Sequence, residues 1–249
     1  MMLERFAYGT TLPEAYHEAL EKLFKNGEHV PCPDYNTTQI ELSMTICVEN
    51  PLREPMISRL FIGGPADLEQ YRQEMLDGIL DFEIMRGNWA YTYHDRIGPQ
   101  YQFVINELKR NPESRRAVID VRRHADMKLD DPACLQHIQY FIRDNKLECK
   151  VLFRSNDACK AAFMNAFALI MLQKRIADEL GVGVGTYTHR ANSFHCYEKD
   201  FALLDGYVKR INSCEALTYN YVGEWDELME DAKAEIAEKV ERLKNNAVD

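Results

Sequence analysis

The sequence predicts an α/β chain, α+β in character, from two observations. Segments with apolar residues at helical spacing are interspersed with β-like runs, and two of those runs flank Asp144-Asn145-Lys146 as a hairpin signal. The 249 residues are 46% hydrophobic, enough to bury one sizeable core in one domain or two closely fused halves.

The elements follow in chain order. LPEAYHEALEKLFKN (12–26) reads as a helix, with Thr11 able to cap its start, Pro13 in its first turn and Gly27 able to end it. QIELSMTICV (39–48) suits a strand. ADLEQYRQEMLDGIL, within 66–86, is a helix followed by a short connection. PQYQFVINELKR (99–110) places Phe103, Val104 and Leu108 at helical spacing before Asn-Pro-Glu-Ser breaks the pattern. Residues 116–123 resemble a strand. The hairpin pairs HIQYFIR (137–143) with LECKVLFR (147–154). On the second run Leu147, Cys149, Val151 and Phe153 share one face and Glu148, Lys150, Leu152 and Arg154 the other, so Arg154 ends the strand on its more polar side. A helix at about 160–180 carries Ala162, Phe163, Ala166, Phe167, Ile170 and Met171 on its apolar face. GVGVG (181–185) follows a helix and leads into a strand. A dinucleotide fingerprint needs the opposite order, so this is a turn. Residues 224–247 form an amphipathic helix with Trp225, Leu228, Met229, Ala232, Ile236, Val240 and Leu243 as its packing stripe.

Composition narrows the function. It excludes collagen, disorder and a small disulfide scaffold. No apolar run approaches the roughly 18–20 residues of a membrane helix, and MMLERFAYGTT has no apolar signal core. The seven cysteines form no CxxC and show no zinc spacing, which suits free thiols in a reducing cytoplasm and no metal. The net charge of −10 argues against a general nucleic-acid binder. Against that balance, Lys109, Arg110, Arg115, Arg116, Arg122 and Arg123, with only Glu113 and Asp120 among them, give +4 between residues 109 and 123. Such an island is either a solvated charged face or a site for a compact anion such as phosphate, which the arginine fork suits.

An ordered set of residues carries more. Cys134 precedes Gln139 by five residues and Arg154 by twenty; Arg154-Ser155-Asn156-Asp157 is followed eight residues after Asp157 by Asn165; His195-Cys196-Tyr197 lies downstream and Ser114-Arg115-Arg116 upstream. This set resembles the thymidylate synthases and the related pyrimidine nucleotide hydroxymethylases, over roughly residues 70–200. The resemblance implies a mostly antiparallel central sheet flanked by helices, with a sheet face used for dimerisation. It implies one such domain over 1–249, with an atypical C-terminal helix at about 224–247. It implies transfer of a one-carbon unit from 5,10-methylenetetrahydrofolate, or an archaeal-type pterin relative, to position 5 of dUMP. That chemistry needs a thiolate at position 6 to turn the ring into an enolate. The resemblance makes Cys134 the nucleophile, Arg154 its electrostatic support, and Arg154 and Ser155 phosphate ligands, with Asp157 part of the same motif and Gln139 of the same ordered set. Arg115 and Arg116 would cross a homodimer interface to the neighbour's nucleotide. Asn165 would read the base, its amide matching N3–H and O4 of uracil. His195 and Tyr197 would bind the sugar 3′-hydroxyl from one strand face. Tyr91, in Tyr91-Thr92-Tyr93-His94-Asp95-Arg96, would help remove the position-5 proton, and Glu74 would be the general acid/base.

Departures from the family pattern accompany these matches. Ala133-Cys134-Leu135 lacks the His that follows the family's cysteine. Glu74 and Tyr91 are only seventeen residues apart, without the family's Trp-containing stretch that packs on folate. Ala158-Cys159-Lys160-Ala161-Ala162 replaces a glycine-rich run that lines the pterin, and a long helix replaces the short sealing tail. Hydroxymethylation, with water capturing the exocyclic methylene, is the runner-up expectation. A nucleotide-binding homologue with little catalysis is the third.

Overall fold

The structure, a computed structural model, describes residues 4–213 and 215–245. A seven-stranded mixed sheet runs in the order β1 (Glu4–Gly9), β3 (Thr37–Val48), β8 (Gly183–Tyr197), β7 (Lys146–Asp157), β6 (Leu135–Arg143), β5 (Val118–Asp120), with β2 (Glu28–Cys32) also on β3. Four of its six ladders are antiparallel; β1 with β3 and β7 with β8 are parallel. Three helices cover one face: α1 (Leu12–Asn26), α4 (Tyr93–Arg110) and α5 (Ala162–Leu180). One row on that face runs Ala7, Ile46, His189, Val151, Ile138 and Ile119 across the strands, all buried. The alternate residues point the other way, and Phe6, Tyr8, Lys150 and Arg190 among them stay exposed.

Local chemistry sets the boundaries. Thr11 and Glu14 form a reciprocal capping box at the start of α1. The hairpin forms as expected, with Asp144 and Asn145 both at positive φ (49° and 57°) and Arg143 paired with Lys146. The helix expected over 66–80 stops at Asp77 (α2, Pro65–Asp77), because Gly78 turns left-handed at φ 65°. A short helix, α3 (Phe82–Met85), follows.

Several expected boundaries move. The helix expected from Pro99 begins at Tyr93: the Thr92 hydroxyl accepts from the Asp95 N–H, and Pro99 lies inside the helix. The strand expected over 116–123 shrinks to Val118–Asp120, since the Val121 and Arg122 N–H groups both reach the Gln136 carbonyl. Arg154 does not end its strand; β7 continues to Asp157 because β8 supplies a parallel partner as far as His195. In GVGVG only Gly181 and Val182 precede the strand, which starts at Gly183. The C-terminal helix α7 is Asp226–Asn245; residues 246–247 lie outside the described residues. Trp225, Met229, Ile236 and Val240 are buried, but Leu228 and Leu243 are 51% and 42% exposed and leave the expected stripe. The sequence reading also passed over β1, β2, α6 (Phe201–Ile211) and the two-residue pair β4 (Ile57–Ser58) and β9 (Thr218–Tyr219). Six cysteines are free thiols; Cys214 lies outside the described residues.

Candidate active site

The parallel β7–β8 ladder brings two motifs together that are forty residues apart in the chain. Ser155 pairs with Ser193 and Asp157 with His195. Beside them β6 begins with a bulge, where Leu135 faces Phe153 but His137 faces Leu152. Cys134 stands immediately before that bulge, and its carbonyl accepts from the Arg154 N–H at 2.8 Å. A cavity of about 260 Å³ opens here. Its lining includes Cys134, Arg154, Ser155, Asp157, Asn165, His195 and Tyr197, all singled out in the sequence. A second cavity, of about 230 Å³, is lined by Glu74, Trp89 and Tyr91. Tyr71 and Tyr93 line both.

The Arg154 guanidinium ties down the loop ahead of Cys134. Nη2 donates to the Pro132 carbonyl at 2.6 Å and to Asp131 at 3.1 Å, while Nε donates to the Pro132 and Ala133 carbonyls at 3.2 Å. Burial pushes the Cys134 thiol above its usual range, Arg154 pulls it down, and Asp131 adds to the rise; the net is upward. The thiol is therefore protonated at neutral pH. Asp157 caps the turn into α5, accepting from the Cys159 and Lys160 N–H groups at 3.0 Å.

His195 is buried. Its Nδ1 is 3.3 Å from both the Ser155 hydroxyl and the Ser193 carbonyl, and its Nε2 has no partner among the described residues. Burial lowers its pKa, so the ring is neutral at pH 7. The Tyr197 ring stands edge-on to it, 4.7 Å between centroids. Asn165 is buried on α5, and its Oδ1 accepts from the Tyr71 hydroxyl.

In the second cavity burial raises the Glu74 pKa; the Gln70 amide, 2.7 Å away, and the Lys239 charge oppose it. Lys239 belongs to α7 and donates to Gln70 at 2.6 Å, so the C-terminal helix reaches Glu74 through one side chain. Tyr91 is pushed up to about 12, by burial first and then by Asp131 and Cys134. Arg96 lies over its ring at 5.3 Å.

Three expected residues are not brought to the cavity. Gln139 is on the open sheet face, donating to the Arg115 carbonyl at 3.0 Å. Strand alternation puts it on that face, opposite Lys150, where it anchors the arginine segment and does not line this cavity. Arg115 and Arg116 are exposed in the turn after α4 and do not line their own chain's cavity.

The sequence reading missed Tyr35, Tyr71, Tyr93, Met164 and Trp89. Tyr71 lies one helical turn before Glu74 on α2 and Tyr93 opens α4 two residues after Tyr91, spacings that do not by themselves assign either to a cavity. Tyr35 reaches the cavity from a short turn with no sequence signal. Trp89 puts a tryptophan in the second cavity, although the family's longer Trp-containing stretch is missing between Glu74 and Tyr91.

Fold and site define a mixed α/β protein with a cavity at the ends of adjacent strands. Residues 74–236 match the family model described as thymidylate synthase, well past the residue-200 limit of the motif resemblance. A Methanocaldococcus jannaschii protein named as a candidate thymidylate synthase is 34% identical over 208 residues, 79% of this chain and 93% of its own. A Methanosarcina barkeri protein of the same description is 28% identical, over 85% of this chain and 100% of its own. The solved thermostable thymidylate synthase A from Bacillus subtilis superposes with a TM-score of 0.65 at 16% identity, covering 80% of this chain and 84% of that one, a likeness of fold. The chain belongs to the thymidylate synthase family. Membership supports an enzyme with one-carbon-transfer chemistry of that general type.

No helix among the described residues is long and apolar enough to cross a membrane. Among them no group of three or more His, Cys, Asp or Glu side chains is placed to hold a metal.

Proposed function

We propose that the protein transfers a one-carbon unit from methylenetetrahydrofolate, or a related pterin, to C5 of dUMP, giving dTMP and the dihydro form of the donor. One observation carries this reading. Cys134, Arg154, Asn165, His195 and Tyr197 line one cavity, while Glu74, Trp89 and Tyr91 line a second that shares Tyr71 and Tyr93 with it. Together the two exceed the roughly 300 Å³ at which small-molecule sites begin. The nucleotide occupies the first and the pterin, stacked near Trp89, the second.

The Cys134 thiolate adds to C6, and the pair of electrons displaced from the ring double bond gives an enolate at C4–O4. C5 then attacks the donor's methylene carbon. The position-5 proton leaves toward Tyr91 through water, and Glu74 moves protons at the ring oxygen. Loss of the position-5 proton expels the donor nitrogen from the methylene carbon and leaves an exocyclic methylene at C5; hydride from the donor then adds to it, which restores the C5–C6 double bond and frees Cys134 as the thiolate. His195 Nε2 accepts from a sugar hydroxyl, with Tyr197 beside it.

The test is product identification by mass after incubation with dUMP, dCMP or UMP and methylenetetrahydrofolate. A methyl increment on dUMP is expected. A hydroxymethyl increment would replace methylation with the runner-up chemistry, and no modified pyrimidine would overturn the reading.

The exposed Arg115 and Arg116 complete a partner's phosphate site in a homodimer formed on the open sheet face. An Arg116→Ala subunit mixed with a Cys134→Ser subunit is expected to regain up to one working site per mixed dimer. Mixed dimers that form without regaining activity would refute the shared site.

A further inference from the structure

We propose that Tyr71 is a positioning residue that fixes the orientation of the Asn165 amide and thereby makes the site select uracil over cytosine. The proposal rests on the reading of the cavity as a pyrimidine nucleotide site.

Tyr71, on α2, lines both cavities, and its hydroxyl donates to Asn165 Oδ1. Asn165 Nδ2 has no partner among the described residues. A carboxamide oxygen has two acceptor sites and its nitrogen two donors. Tyr71 occupies one acceptor site; the other remains for N3–H of uracil, and the unpartnered Nδ2 for O4. Cytosine presents the reverse pattern, an acceptor at N3 and a donor amino group at position 4, so binding it would require the amide to turn over. Turned over, Nδ2 would face the phenol oxygen and the phenol proton would lose its acceptor. Oδ1 is the one acceptor that hydroxyl reaches among the described residues. Burial holds the Tyr71 pKa well above the usual phenol range, so the proton is present at every working pH. An interior donor left unpaired shifts such an equilibrium about ten- to a hundredfold.

The experiment titrates dUMP and dCMP, without folate, into the parent, Tyr71→Phe, Asn165→Asp and the double variant, and reads the ratio of the two dissociation constants. The Phe ring keeps the packing and removes only the hydroxyl. The parent is expected to prefer dUMP, and Tyr71→Phe to lower that preference by about tenfold or more. In the Asn165→Asp background the same change is expected to leave the ratio nearly still, because the two carboxyl oxygens are equivalent and nothing remains to orient.

A parent that prefers dUMP with a Tyr71→Phe ratio unchanged would overturn the role of Tyr71 and leave the base-reading assignment standing. A ratio that moves equally in both backgrounds would overturn it too, since Tyr71 would then act other than through the amide. A parent that binds neither nucleotide, or prefers dCMP, would overturn the nucleotide reading together with this one.

Discussion

Cys134→Ser is expected to bind dUMP with near-parental affinity and to lose turnover by about 10⁴-fold or more, as removal of a covalent nucleophile does. The substitution exchanges sulfur for oxygen and leaves in place the side chains assigned to phosphate, base and sugar. The alcohol cannot supply an anion at neutral pH, whereas the thiol can. In the ligand-free protein burial keeps that thiol protonated, with Arg154 as the opposing charge. The rate of adduct formation should therefore rise with pH through the thiol's titration. A stable adduct with 5-fluoro-dUMP should map to the peptide containing Cys134. The competing thiols are poorly placed. Cys159 and Cys196 are buried with their sulfurs 3.7 Å apart, and neither lines the cavity. An adduct on either would sink the assignment.

Glu74→Gln is expected to lower turnover by about 10²- to 10⁴-fold, the usual contribution of a placed acid or base, and at the same time to stabilise the fold at neutral pH. Burial raises the folded-state pKa of Glu74 above its unfolded value. Its contribution to stability is then fully present below the unfolded value and is lost as pH rises through the folded one. At pH 7 the ionised carboxylate opposes folding, and the neutral amide removes that opposition. Melting temperatures of the parent and the variant should differ at pH 7–8 in favour of the variant and converge below about pH 4. Lys239→Met removes a charge that favours the carboxylate, so it should move the Glu74 limb of the pH–rate profile upward. A variant that is no more stable at neutral pH, or a limb that does not respond to Lys239, would count against a strained acid in this position.

Much of the lining of the first cavity was legible in the sequence. The motif resemblance grouped Arg154, Ser155 and Asp157, and strand alternation put His195 and Tyr197 on one face, before any packing was known. Their meeting was not legible, because nothing local specifies that β7 and β8 lie side by side and parallel. That pairing also explains why the strand bearing Arg154 runs on to Asp157. Gln139 marks the limit of reading by spacing. Its distance along the chain from Cys134 is right, but the bulge at the start of β6 and the alternation of the strand send its side chain to the open face.

The sequence by itself determined the Thr11 cap of α1, the Asp144-Asn145 turn and the alternation on β7, because each depends on neighbours within a few residues, while the candidate site groups came from the family resemblance. Only the tertiary structure decided that Tyr71, Tyr93 and Trp89 belong to the site, that Tyr71 holds Asn165, and that the C-terminal helix reaches Glu74 through Gln70. Those contacts join residues as far as 169 positions apart. Local propensity carries no information about them; they form because burying the apolar faces of α2, α5 and α7 brings their polar side chains within hydrogen-bonding distance.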